Sequence, residues 1–254
     1  YDLGKVVPKN QKEALKWFRL SAKQGTKEGQ SNLGTMYENG HGVAQDNIEA
    51  IKWYQLAADQ GFMDGQTNLG LMYVNGKGVL QNHEEAIKWF ELSAKQGSME
   101  AQLNLGILYK KGNGVQQDNK TAIKWFKLSA DQGFAIAQYS LAVMYLTGQG
   151  APQDYKEAIN WFQFSADQGY KLAQLSLGQL YESGKLGSIN YVLAYKWFNT
   201  ASIQGDKEAG EGISRLENKM STSQIEQAKQ MAKKQSLKSN NTQKAKPCTD
   251  LPSF

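Results

Sequence analysis

The chain of 254 residues is poor in cysteine and histidine and has no long apolar run, and each shortage excludes a class of protein. Its single cysteine, Cys248, excludes a framework of intrachain disulfides and a zinc site built from several cysteines. No stretch of about 18 uncharged apolar residues occurs, so we expect no membrane-spanning helix. The length and a hydrophobic share of 40% predict a folded body with a large core.

The net charge of +5 belongs to the C-terminal end of the sequence. Residues 215–254 hold eight of the 29 basic and three of the 24 acidic side chains, so 21 of each sign remain in the rest of the chain. A nucleic-acid-binding protein usually concentrates positive charge on its folded surface. We therefore expect no nucleic-acid partner for the folded part, and leave a contact through the basic tail as a minor alternative.

The dominant signal is an internal repeat of 36 residues. An alanine three residues before each tryptophan, and a Gln-Gly pair seven and eight residues after it, recur at the same interval. Self-similarity at this length is typical of stacked repeats, and the apolar periodicity within each unit is helical. The repeat is marked by all six tryptophans of the chain, which are Trp17, Trp53, Trp89, Trp125, Trp161 and Trp197.

Each unit is predicted to be a hairpin of two helices, A and B. In the first unit Asn10 and Glu13 form a capping box, which satisfies free backbone donors at the start of helix A. Gly25 ends helix A, and helix B covers about residues 27–39 before Gly40. Helices joined by so short a turn pack antiparallel.

The apolar residues of helix A, from Ala14 to Ala22, cover an arc of roughly 220°, wider than the stripe of an ordinary surface helix. We expect this arc, with the tryptophans at its centre, to form the core. Only a narrow polar strip then faces water, and stacked strips form a polar ribbon along the A helices. The polar ribbon, our predicted partner-binding surface, comprises Lys16, Arg19, Lys52, Gln55, Lys88, Glu91, Lys124, Lys127, Asn160 and Gln163.

The repeat defines the domain organisation. Residues 1–9 match the end of a helix B, so we expect the natural chain to begin earlier, with its true N-terminus and any signal peptide missing here. The predicted segments are 1–9 as a truncated repeat, five repeats at 10–45, 46–81, 82–117, 118–153 and 154–189, a degenerate sixth repeat at 190–219, a capping helix at 220–236, and a flexible basic tail at 237–254.

The unit resembles the Sel-1-like repeat family. Residues 86–97, AIKWFELSAKQG, followed by Ala101-Gln102, Leu105-Gly106 and Tyr109, carry the pattern most clearly, and the resemblance extends to about residue 219. It implies an all-α, right-handed superhelical α/α solenoid related to tetratricopeptide repeats, with the A helices lining the concave side. Family members serve mainly as adaptors in protein complexes, and many bacterial ones are exported.

The leading functional hypothesis is a non-catalytic adaptor that binds a protein or peptide, acidic groups included, along the polar ribbon. The alternative is a cell-wall or glycan-binding module of the bacterial envelope. For location we expect the periplasm or the exterior of a bacterium, with the cytoplasm as the alternative. The sequence leaves the oligomeric state open.

No enzymatic or cofactor chemistry is predicted. The H-E-x-x-H, G-x-S-x-G and Walker patterns are missing. The repeated G-x-G loops follow helices and not strands, so they are interpreted as turns. His41 and His83 are isolated from other ligating residues. We therefore expect no catalytic site, no cofactor and no metal.

Overall fold

The computed structural model describes residues 10–185 and 187–244, which contain thirteen α-helices and no strand. The predicted all-α class of helical hairpins is confirmed. The A helices are α1 (Gln11–Lys23), α3 (Asn47–Asp59), α5 (His83–Lys95), α7 (Asn119–Asp131), α9 (Tyr155–Asp167) and α11 (Tyr191–Ile203). The B helices are α2 (Lys27–Asn39), α4 (Met63–Asn75), α6 (Met99–Lys111), α8 (Ala135–Thr147), α10 (Lys171–Ser183) and α12 (Lys207–Glu217), and α13 (Thr222–Lys244) follows them.

The helix ends form as the sequence predicts. The side chain of Asn10 accepts a hydrogen bond from the backbone N–H of Glu13, which satisfies one of the free donors at the start of α1. Gly40 ends α2 in the left-handed conformation with φ of +68°, which a residue without a Cβ adopts at little cost. The repeat therefore sets its own helix lengths through local capping.

In the second repeat the corresponding pair is Asp46 and Glu49, and only half of its capping box forms. The side chain of Asp46 accepts from the backbone N–H of Glu49, but the backbone N–H of Asp46 does not donate to Glu49. The backbone N–H of Asp46 donates to the carbonyl of Tyr37 on α2, at 2.9 Å. This bond returns the chain from the end of a B helix to the start of the next A helix. The side chain of Glu49 is consequently free to bind elsewhere, and it does so on the outer side of α3.

The described residues form two compact units, one up to Trp125 and one from Phe126 onward, and their boundary falls within α7. In each unit the helices stack in chain order, and a B helix packs more extensively on the following A helix than on its own. The core of unit 1 includes Leu33, Tyr54, Leu69 and Phe90. That of unit 2 is built around Phe162 and Phe198.

The prediction that the tryptophans form the centre of the core is wrong for most of them. Trp53, Trp89, Trp125 and Trp161 are half-buried, and Trp17 is 49% exposed. The centre is the aromatic residue that follows, such as Phe90, which has no exposed surface. The indole N–H groups of Trp17, Trp53 and Trp161 each donate to a glutamate one turn earlier, which favours a position at the edge of the core.

A second correction concerns the end of the chain. The predicted capping helix exists, but α13 continues to Lys244, so residues 237–244 are helical and not a flexible tail. The polar composition of this stretch did not reveal that the helix continues through it. The predictions for residues 1–9, Leu186 and 245–254 lie outside the described residues.

Candidate functional site

In unit 1 the polar ribbon residues lie on the solvent-facing side of α1, α3, α5 and α7, which is the outer face of these helices. The position directly before each of the four tryptophans of this unit holds an exposed side chain. The position two residues after the tryptophan is more variable, since one of its three residues in unit 1 is exposed and two are half-buried. In chain order these residues are Lys16, Arg19, Lys52, Gln55, Lys88, Glu91 and Lys124.

The carboxylate of Glu49 binds two of its neighbours on α3. Its Oε2 accepts from the Nζ of Lys52 at 2.9 Å, and its Oε1 accepts from the indole Nε1 of Trp53 at 3.1 Å. This hydrogen bond raises the pKa of Lys52 above its usual value. Lys88 is paired with Glu85 at 2.8 Å in the same way. Two of the predicted ribbon lysines are therefore already neutralised by their own helices.

The polar ribbon of unit 2 is less basic. Lys127 is exposed and pairs with Asp131 at 3.1 Å. Asn160 is exposed, and the half-buried Gln163 donates to Asp167 at 2.8 Å. The amine of Lys127 on α7 also lies 5.4 Å from the centre of the Trp161 ring on α9, within the range of a cation–π contact. This contact joins two neighbouring A helices at the surface.

The structure adds a row of apolar side chains that the sequence interpretation had placed in the core. Three residues after each of the first five tryptophans, a large apolar residue is 44–56% exposed. We call this row the apolar ladder. It consists of Leu20, Leu56 and Leu92 in unit 1, and of Leu128 and Phe164 in unit 2.

The signal for the apolar ladder was present in the sequence but lay inside the broad apolar arc. Helical periodicity places Leu56 only about 40° from the exposed Lys52 around the axis of α3. The same rotation separates Lys88 from Leu92 and Lys124 from Leu128. The candidate site is therefore a mixed surface, in which each of the first five A helices contributes one apolar and two ribbon side chains.

The comparison with known repeat families decides what this arrangement is. A model of the Sel1 repeat matches residues 1–26, 27–62, 64–98, 100–134, 135–170 and 171–206. The chain belongs to the Sel1 repeat family. The matched segment 27–62 spans α2 and α3, so the Sel1 unit is framed from helix B to the next helix A.

Solved Sel1 repeat structures resemble this chain closely. The protective antigen c5321 of uropathogenic Escherichia coli is 32% identical over 98% of this chain and 54% of its own, with a TM-score of 0.84. The chain thus spans about half the length of c5321. A Sel1 repeat protein from Oxalobacter formigenes is 32% identical over 88% of this chain and 94% of its own, with a TM-score of 0.75. No curated protein sequence matches the chain.

The described residues contain neither a candidate metal site nor a candidate membrane-spanning helix. Within 10–185 and 187–244 no three histidine, cysteine, aspartate or glutamate side chains converge as a metal site would require. In the same ranges, every helix is too short or too polar to cross a bilayer.

Proposed function

We propose that this Sel1 repeat protein is a non-catalytic adaptor, and that it binds partner proteins along the outer face of its A helices. The observation that carries the proposal is the apolar ladder beside the polar ribbon. A large apolar side chain left about half exposed at the same position of five successive A helices is a costly pattern for a surface without a ligand.

The sequence variation among the six A helices also supports the outer face as the binding surface, because a polar position of that face varies while a buried position is constant. The residue before the tryptophan is lysine in five of the six A helices, whereas the residue two after it is Arg, Gln, Glu, Lys, Gln or Asn. The alanine three residues before the tryptophan is invariant among the six repeats and is fully buried from Ala50 onward. One scaffold thus presents different polar groups at the same position of each repeat, as an adaptor requires.

The charge of the partner follows from the ion pairs. Lys52 and Lys88 are each bound to a glutamate three residues earlier, so the polar ribbon presents a balanced surface there. An acidic partner segment gains most beside α1, where Lys12, Lys16, Arg19 and Lys23 are all exposed. We propose a partner with mixed polarity and acidic groups at one end.

A pull-down with charge-matched variants tests the proposal. Lys52, Lys88 and Lys124 are changed together to Gln in the full chain, and a control carries Lys27, Lys111 and Lys120 changed to Gln. All six lysines belong to unit 1; the control residues lie on α2, on α6 and in the first turn of α7. We expect lysate proteins retained by the wild type and the control to be depleted with the ribbon variant. Equal retention by all three proteins contradicts the proposal.

We further propose that the protein acts outside the bacterial cytoplasm. The support is its 32% identity to c5321, a protective antigen present in uropathogenic Escherichia coli strains. Fractionation of cells that express the natural full-length protein tests this location, and recovery in the cytoplasmic fraction alone contradicts it. No observation on the described residues favours the glycan-binding alternative.

A further inference from the structure

The sixth repeat differs from the others at the apolar ladder position. In unit 2 this position holds Leu128 on α7, Phe164 on α9 and Thr200 on α11. Leu128 and Phe164 are 49% and 56% exposed, whereas Thr200 is only 2% exposed. The neighbouring tryptophan changes in parallel, because Trp161 is half-buried and Trp197 is 1% exposed. The apolar ladder position is therefore covered on α11, whereas on α7 and α9 it is left exposed.

The cover is α13. A further Sel1 unit would pack its helix A on the preceding helix B, since that is the most extensive contact between neighbouring helices of this fold. Helix α13 instead packs on α11, makes little contact with α12, and reaches α9. It therefore lies on the outer face of the A helices and does not continue the stack.

The side of α13 that makes this contact is a narrow seam with two alanines at its centre. Ile225, Ala228, Ala232 and Gln235 follow one another at spacings of three, four and three residues, which places them on one side of a helix. Ala228 and Ala232 are fully buried and Gln235 is 7% exposed. Small side chains let the backbone of one helix approach another closely, so the seam fits a surface of protruding side chains.

The contact of α13 ends next to the exposed part of the apolar ladder. The amide Nε2 of Gln235 donates to Oδ1 of Asp167 at 2.9 Å. Asp167 lies three residues after Phe164 on α9, hence one turn away on the same side of that helix. The Phe164 ring in turn packs on Trp161, with ring centres 5.7 Å apart. The exposed surface around Phe164 and Leu128 is thus continuous with an existing helix-binding surface.

From this continuity we infer that the surface formed by Leu128, Trp161 and Phe164 binds an amphipathic helix of a partner protein. The partner helix carries small apolar residues at three- and four-residue spacing, as α13 does, and lies on α7 and α9 as α13 lies on α11. This inference specifies the kind of partner and rests on the proposed adaptor function. Lys127, which lies over the ring of Trp161, borders the surface and favours an acidic residue on the flank of that helix.

The probe is a fluorescent peptide of residues 221–235. It is held helical by a hydrocarbon staple between positions 230 and 234, because both are exposed and lie opposite the seam. The protein is the full chain with Phe164 replaced by the photoreactive p-benzoylphenylalanine. A matched control carries this residue in place of Leu172, which is 41% exposed on α10 and lies off the apolar ladder. A second peptide with Ala228→Asp and Ala232→Asp tests the seam.

We expect crosslinking of the peptide at position 164 to exceed that at position 172 by about tenfold, the factor that burial of a single large apolar side chain supplies. The seam-disrupted peptide should crosslink at position 164 no better than at position 172. Equal yields at both positions, or equal yields with both peptides, overturn the inference. The adaptor proposal is tested independently. The pull-down measures loss of partner proteins when lysines of unit 1 are changed, and its result does not depend on whether the peptide crosslinks to unit 2.

Discussion

Gln96, directly after α5, binds Gln66 of the preceding repeat. Its Nε2 donates to Oε1 of Gln66 on α4 at 2.8 Å, and Nε2 of Gln66 donates to the carbonyl of Ala58 at 3.3 Å. The same amide pair recurs as Gln60–Gln30, Gln168–Gln138 and Gln204–Gln174, at 2.7–2.8 Å. The glutamine of the motif therefore forms a hydrogen bond between repeats, whereas the glycine after it forms the turn that follows helix A.

Gln66→Leu should lower the free energy of unfolding by about 1–3 kcal/mol, because it removes the two hydrogen bonds that this buried amide makes, to Gln96 and to the carbonyl of Ala58. The control is Gln55→Leu, whose half-buried side chain bonds only within α3, to Asp59. We expect its effect to stay within about 0.5 kcal/mol. Urea unfolding of the two variants measures the difference, and equal losses would show that the amide pair contributes nothing between repeats.

Two glycines on B helices should respond to alanine with opposite signs. A Cβ at Gly70 would lie 2.6 Å from Cε1 of Phe90, so Gly70→Ala should destabilise the fold by about 1–3 kcal/mol. A Cβ at Gly210 would meet only Oγ of Ser202, at 3.8 Å. Gly210→Ala should therefore stabilise α12 by up to about 1 kcal/mol through its higher helix propensity. Thermal unfolding midpoints that shift in the same direction would contradict this assignment.

The helix hairpins could be predicted from the sequence because their signals are local. Asn10 and Gly40 cap helices through bonds to residues close in the chain. The 36-residue period then repeats those local signals along the chain. Capping and periodicity do not depend on what packs against a helix, so they can be recognised in a single sequence.

The surface could be predicted only in part, because exposure depends on neighbours distant in sequence. Leu56 and Ala57 both belong to the apolar arc of α3, yet only Leu56 is exposed. The position of α13 could not be predicted either, because its apolar pattern does not indicate whether the helix packs on α11 or on α12. A helical pattern gives the direction of a side chain and not the element that covers it.

Alkaline pH should destabilise the fold partly through Tyr54. Burial, and then the charge of Glu38, raise the pKa of Tyr54 above its ordinary value, and its hydroxyl donates to Oε2 of Glu38 at 2.8 Å. The unfolded chain loses this proton near pH 10 while the folded chain keeps it, so stability falls as pH rises above about 10. The Tyr54 contribution approaches about 1.4 kcal/mol per pH unit.

Tyr54→Phe removes that contribution, since phenylalanine does not titrate and already occupies the same position as Phe90 in the next repeat. Urea unfolding at pH 9 and pH 11 should show a smaller loss of stability in the variant than in the wild type. Losses of equal size would mean that Tyr54 ionises as easily in the fold as outside it.

The account depends on the outer face of the A helices being a surface on which helices dock, with α13 as the resident example. Thiol labelling measures this most directly, because Cys248 is the only cysteine and can be changed to Ser. In that background we expect Thr200→Cys to react at least about tenfold more slowly than Leu128→Cys, since α13 must lift away first. Adding Ala228→Asp and Ala232→Asp should accelerate Thr200→Cys and leave Leu128→Cys unchanged. Equal labelling of both positions in the chain with intact α13 would contradict the account.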